Sequence, residues 1–514
     1  MRHIAYRFLA AIRSARVGTI ARVGTAALGR PSRAQLGSCL LCAAAITSMI
    51  LSALATAETR PRYGGTLRVM LQSAPETLEL PPNATPADYW DAARTLALVG
   101  DTLVKLDVQD HPQPALAVAW QSDPSARHWQ FTLRRGVKFH DGSPASPASV
   151  AQILGALHPG WSVRASADSI SISIDSETPM PSLLAELALP RNLLLKRNAN
   201  GVPIGTGSFL VAEWQPGKLL KLAASEESWA GRPFVDAVEI EFGKSLHDQA
   251  IALELDKTDV IETAPQAVSE SPGHGASSSS SLSVSLPVEL LALVFSANSK
   301  AQDPRLREAL ALAIDRKPIQ SVLLKGAGEP TAGILPNWMT GYSAVFSAPA
   351  NPQRVGALLA DSRPPALKLS LNLSYDPRDP QAKLIAERIA LNAREAGITV
   401  QVSLSGAEDI RLVRIVLPSP DPATSLSEAA RQLGLSQPAP PATPAGNSLE
   451  DLYQAERSLL NGYVVIPLFH LPVAFEASAR VRNWAPDPLG DWSMSRFSLS
   501  DVWLADSRSE AGSR

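Results

Sequence analysis

Apolar and polar residues alternate with a period of two in residues 65–71 (GTLRVML), 129–133 (WQFTL) and 169–174 (SISISI), which are therefore predicted strands. The pattern changes beyond residue 300. Asp303-Pro304 supplies an N-cap followed by proline at the first helical position, and Leu306, Ala309, Leu310, Ala313 and Ile314 then recur at helical spacing. Lys317-Pro318 is expected to break that helix before residues 319–324 resume it. Asp379-Pro380 opens a second helix in the same way, carried by Leu384, Ile385, Ile389 and Ala393 and stopped by Gly397. Residues 398–404 (ITVQVSL) alternate directly after it, and a helix that feeds a strand is the unit of α/β folds. The predicted class is mixed α/β, strand-rich first and built of helix-strand units later.

Two stretches read as punctuation. Residues 269–285 (SESPGHGASSSSSLSVS) are rich in serine and glycine, which predicts a flexible coil. Residues 418–447 hold seven prolines and end in PAPPATPAGN, which predicts a semi-rigid spacer. Both are expected to loop over the surface or to mark domain joints.

The N-terminus changes the setting of everything after it. Seven arginines and no acidic residue precede an apolar run at 36–57 that closes in Ala55-Thr56-Ala57, the pattern of a secretory signal. The region is longer than a signal needs, and the run is just long enough to span a bilayer, so an uncleaved anchor competes with cleavage after Ala57. A lipid-attachment reading of Leu36-Gly37-Ser38-Cys39 is a third option, disfavoured because the apolar run follows the cysteine instead of preceding it. The expected location is periplasmic or otherwise extracytoplasmic. Both cysteines, Cys39 and Cys42, lie in this leader, so the chain beyond it has no thiol and must be held by its core. Loss of the leader leaves 40 basic against 49 acidic residues, a net charge of −9 instead of −2, which argues against a nucleic-acid partner. The 457 residues that follow are too many for one core and imply two to four structural units.

Catalytic and metal motifs are missing. His140-Asp141 sits in Phe-His-Asp-Gly-Ser-Pro, which reads as a tight turn with aspartate capping and glycine supplying φ > 0. Gly205-Thr206-Gly207 lacks both the third glycine and the lysine of a phosphate cradle, so it too reads as a turn. No G-x-S-x-G elbow or H-E-x-x-H helix is present, and no two of the eight histidines lie three to five residues apart. The expectation is a protein with no catalytic residue, no cofactor and no preformed metal site.

Several separated segments resemble family 5 extracellular solute-binding proteins, the peptide/nickel class of ABC-importer receptors, and they fall in the family's order. Tyr63-Gly64-Gly65-Thr66-Leu67-Arg68 resembles its opening strand, and residues 129–142 (WQFTLRRGVKFHDG) resemble its signature. Pro114-Ala115-Leu116-Ala117 with Trp120 falls between them. Gly205-Thr206-Gly207-Ser208-Phe209 with Glu213-Trp214, then residues 228–233 (SWAGRP), 303–316 (DPRLREALALAIDR) and 466–470 (IPLFH), continue the likeness through most of the chain.

The resemblance implies a type II periplasmic-binding-protein fold, two lobes on a hinge with an extra domain in the first. In this numbering one lobe domain would combine 58–100, 201–285 and 476–514, the extra domain would be 101–200, and the second lobe 286–475. It implies capture of a peptide or other small polar solute by lobe closure, delivery to ABC permease subunits, and a monomer. Thr85, Pro86, Asp88 and Tyr89, after the first strand, and Arg414 and Asp421 across the cleft are the expected ligand contacts, with Trp338 a further candidate for the cleft wall. Two departures bear on the ligand. In peptide-binding relatives an aspartate pairs with the ligand amine; alignment of Val416-Leu417-Pro418-Ser419-Pro420-Asp421-Pro422 on its last proline puts Pro418 there, with Asp421 nearby. The extra domain and the region after Ser405 are also shorter than in the family. The alternative is a degenerate binding-protein fold acting as an envelope sensor or interaction protein without transport.

Overall fold

A computed structural model describes residues 61–514 except 81–85, 169, 266–279, 342–345, 347–348, 362–369, 406, 437–447, 485, 487, 490–498 and 506–514. The leader and Thr85 therefore lie outside the described residues. The first elements are β1 (Thr66–Met70) and α1 (Pro86–Leu96), followed by β2 (Ala117–Ser122), β3 (His128–Leu133), α2 (Pro147–Leu157), β4 (Ser162–Ala165), β5 (Ser171–Asp175) and α3 (Leu183–Ala188). Next come β6 (Phe209–Gln215), β7 (Leu219–Ala224), β8 (Ala237–Glu241), β9 (Val260–Thr263), β10 (Ser280–Phe295) and α4 (Pro304–Ala313). The last are β11 (Ser370–Ser374), α5 (Pro380–Glu395), β12 (Thr399–Val402), β13 (Ile410–Val416), α6 (Pro422–Gln432), α7 (Leu449–Leu460) and β14 (Val465–Ser478).

An eleven-stranded mixed sheet runs β6-β7-β8-β1-β9-β14-β10-β13-β11-β12, with the two-residue strand Glu329–Pro330 pairing off this path with β14. Its two halves are joined by β10 and β14, antiparallel partners of 16 and 14 residues that pass from one half into the other. Each half owns a core. Leu67, Val69, Leu222, Val238, Ile240 and Phe475 fill the first, while Leu291, Leu293, Ile385, Ile389 and Leu412 fill the largest of the second. Alternate residues of β10 feed different cores in the second half, Leu291, Leu293 and Phe295 one and Leu290, Ala292 and Val294 another, because successive side chains of a strand point to opposite faces. A separate antiparallel sheet, β2-β3-β5-β4, closes on its own core of Trp129, Phe131, Ile172, Ile174 and Leu154.

The local signals behind α4 and α5 act as expected. The Asp303 carboxylate accepts from Arg305 N and that of Asp379 from Gln381 N and Ala382 N, and Gly397 follows α5 at φ 86°. Three expectations need correction. The break after α4 falls at Ile314-Asp315, not at Lys317-Pro318; Asp315 caps a new turn, in which Pro318 is tolerated because the first helical N–H groups need no helical partner. Ser280 to Ser285, predicted coil, is the start of β10, where serine alternates with Leu282, Val284 and Leu286 against β14. The proline-rich stretch contains α6, buried at Leu426, Ala429 and Ala430, because Asp421-Pro422 repeats the N-cap-proline signal.

The motif segments converge on structural joints. The ring of His140 accepts from Gly205 N at 3.4 Å and donates to Gly207 O at 2.9 Å, and Asp101 receives Thr206 Oγ1 at 2.9 Å and Trp229 Nε1 at 2.8 Å. A Cβ on Gly205 would lie 2.1 Å from the Val99 carbonyl oxygen, so glycine is required by a close backbone approach. The His140-Asp141 turn is as expected, with Gly142 at φ 79° and Asp141 accepting from Ser143 N at 3.0 Å. Arg316 is buried and donates to Pro467 O at 2.8 Å, tying the DPRLREALALAIDR segment to the IPLFH strand.

Candidate functional site

The two halves of the sheet face each other along a polar seam beside the crossing strands. α1 of the first half packs against β13 of the second, so its Asp88, Tyr89 and Trp90 meet the N-terminal end of α5 and the side of α6. Asp88 pairs with Arg378 at 2.7 Å, Trp90 Nε1 donates to Gln432 Oε1 at 3.3 Å, and the Arg431 guanidinium lies 4.8 Å from the Tyr89 ring centre. Burial, reinforced by the Glu428 charge, pushes the Tyr89 hydroxyl up to about 12, so it stays protonated.

Deeper in the seam, Asp91 and Glu262 lie close to one another on the first half. Asp91 is 8% exposed. Its carboxyl is raised to about 7, chiefly by burial, with Arg94 pulling it down and Glu262 pushing it up. Glu262 is raised too, again first by burial; it stands 3.6 Å from Arg94 and accepts from Gln72 N at 2.6 Å. Across from them Arg414 donates to Glu289 at 2.9 Å and to Asp379 at 3.1 Å. Burial works against the Arg414 charge, but these two carboxylates outweigh it and hold the guanidinium above its ordinary range. Next to this set, a cavity of about 230 Å³ is lined by Ser283, Ser285 and Leu286 of β10, Val473 and Phe475 of β14, and Pro486 and Pro488. Arg94 lies over the Phe475 ring at 5.9 Å, which links the charged seam to the cavity wall.

Sequence reasoning placed Asp88, Tyr89 and Arg414 on this seam. Pro86 opens α1. Asp421 is 5% exposed, and its carboxylate accepts from Thr424 N at 2.8 Å as the N-cap of α6, so it is engaged in its own helix. Trp338 donates from Nε1 to Pro287 O at 2.9 Å and so braces a crossing strand. Asp91, Arg94, Glu262, Glu289, Arg378 and Glu428 were not foreseen. The one sequence signal for them was position: charged residues inside apolar-periodic segments such as α1 and β10.

A crossing-strand pair between two α/β halves, with a polar seam and a cavity at the crossing, defines a type II periplasmic-binding-protein fold. Solved structures agree. The oligopeptide-binding protein AppA from Bacillus subtilis, in complex with a nonapeptide, superposes with a TM-score of 0.73 over 87% of this chain and 100% of its own, at 16% identity. NikA from Staphylococcus aureus, in complex with Ni(L-His)2, gives 0.69 over 86% and 99%, at 17% identity. Residues 111–414 match the family described as bacterial extracellular solute-binding proteins, family 5, and the chain belongs to that family. In sequence it is 22% identical over 331 residues to the nickel-binding protein NikA of Staphylococcus aureus, covering 60% of this chain and 65% of that protein. It is 23% identical over 350 residues to di/tripeptide-binding protein 2 of Pseudomonas aeruginosa, covering 57% and 64%. The chain thus aligns with somewhat less than two thirds of those relatives' own length. No helix among the described residues is long and apolar enough to cross a membrane.

Proposed function

We propose that this protein is the extracytoplasmic solute-binding receptor of an ABC importer, which captures a peptide or related small polar solute by closure of two lobes. In this reading 58–100, 201–285 and 476–514 form one lobe domain, 101–200 the extra domain and 286–475 the second lobe. The observation that carries it is the crossing pair β10 and β14: two strands joining halves with separate cores, beside a polar seam and a cavity. Such a connection bends at the crossing while each core stays packed, and a ligand that touches both halves favours the closed arrangement by its differential contacts. Its chemistry is binding, not turnover. Asp88, Tyr89 and Arg414 stand where both halves meet and are the proposed first contacts, and Thr85 and Pro86 are proposed with them from the sequence.

Asp421 is occupied as a helix cap, so a ligand amine would find its carboxylate partner on the first-half side, at Asp88, Asp91 or Glu262. The partners in this reading are a small-molecule or peptide ligand and membrane permease subunits, with no nucleic acid, and the protein works as a monomer. Native mass spectrometry of protein purified gently from its own envelope tests it. A small mass that leaves on partial denaturation is the expected result. An empty protein that shows no thermal shift with peptide, sugar or metal-chelate pools would refute the receptor reading.

A further inference from the structure

The seam between the halves contains one carboxylate that is almost completely removed from water. Glu428 on α6 has a side chain only 1% exposed, and donors from both halves surround it. From its own helix come Arg431 Nε at 3.0 Å and Gln432 Nε2 at 3.2 Å. From the other side comes Arg191 Nη1 at 2.5 Å, and Arg191 is itself held by Glu186 of α3 through Nε at 2.8 Å. Tyr89 and Trp90 of α1 close over the same cluster through Arg431 and Gln432.

Magnitudes separate this joint from Asp88–Arg378, the other described ion pair that links one half to the other. Asp88 and Arg378 are 36% and 41% exposed, so water screens their pair and it contributes little. Glu428 is different. Burying a charge is costly unless its lone pairs are filled, and among the described residues Arg191 is the cationic donor to Glu428 that comes from outside the second half. Arg191 and Arg431 both converge on Glu428, so with its charge removed two guanidinium groups would face each other across the joint.

We propose that Glu428 is an inter-lobe latch, which with Arg191 holds the two halves together without ligand and makes the closed arrangement the resting state of this protein. The latch goes beyond solute capture but rests on the two-lobe reading. A solute would then enter only during spontaneous opening, and its apparent affinity would be lowered by the small open fraction.

The test is an inter-lobe distance measurement on the full chain with Cys39 and Cys42 changed to serine, spin-labelled at Glu254→Cys and Glu387→Cys, both exposed and one on each half. Co-purified solute is first stripped by dialysis against guanidinium and refolding. The unliganded parent is expected to show one dominant short distance. Glu428→Gln is expected to raise the long-distance population about tenfold or more, because Arg191 and Arg431 lose their shared carboxylate and only Glu186, on the Arg191 side, is left against the two cations. Arg191→Met leaves Glu428 with Arg431 and should open the protein less, and Asp88→Asn least. Arg191→Met also keeps the test decisive if Glu428→Gln fails to fold. A parent already open without solute, or variants with the parent's distance distribution, would overturn the latch. An open parent that rebinds the stripped solute would leave the receptor reading standing, whereas a closed parent that binds no solute would do the reverse.

Discussion

Asp91→Asn is expected to stabilise the protein at neutral and alkaline pH and to change nothing in acid. The carboxyl is buried in the seam, against Glu262, and its folded value is raised from 3.8 to about 7. Below pH ~4 it is protonated in folded and unfolded chains alike and no penalty exists. Between pH ~4 and ~7 the unfolded chain releases this proton and the folded chain keeps it, so stability falls as pH rises. Above pH ~7 both states are ionised and the full penalty stands, on the order of 4 kcal/mol, because each pH unit of that window contributes about 1.4 kcal/mol. The neutral amide of asparagine has nearly the same shape and escapes that penalty. Urea denaturation followed by circular dichroism at intervals from pH 4 to pH 8 measures the difference between variant and parent, in which all other titrations largely cancel. The variant should gain ~2–4 kcal/mol at pH 8 and converge on the parent near pH 4. A difference that does not vary with pH, or a variant less stable at pH 8, would refute the burial argument.

Three other outcomes follow from the packing. Gly205→Ala drives a methyl group to 2.1 Å from the Val99 carbonyl oxygen and should cost ~3 kcal/mol or more in urea denaturation, whereas Gly142→Ala, at φ 79° in open space, should cost about 1 kcal/mol; equal costs would refute the close-approach argument. Arg414→Met leaves Glu289 and Asp379 without their shared cation and should cost about 3 kcal/mol, with Arg414→Lys between it and the parent; a loss under ~0.5 kcal/mol would mean that solvent screens the site. His470 is 2% exposed, bonded to Ile334 O, and lowered by burial from 6.5 to about 4. Its contribution is present above pH ~6.5 and lost as pH falls toward 4, worth about 3 kcal/mol, so His470→Gln should flatten that acid limb of the stability profile.

Whatever is settled within a few residues was legible in the chain. Asp303-Pro304 and Asp379-Pro380 start their helices because cap and fixed φ act inside one turn, and alternation in residues 65–71 and 129–133 made strands because every second side chain had a core to meet. The order of the motif segments likewise announced the family. Composition misled where it was averaged: serine count hid the alternation of Ser280 to Ser285, and proline count hid the capping signal of Asp421-Pro422. What Glu428, Arg191, Asp91 and Glu262 do depends instead on packing between distant segments. Glu428 and Arg191 are separated by 237 residues, and Arg68 meets Asp259 across 191. Nothing in the neighbours of such residues records a partner that distant. Their charges acquire a role only when the packing of the two cores removes the seam from water, because a charge left in water has little energy to gain from any single neighbour.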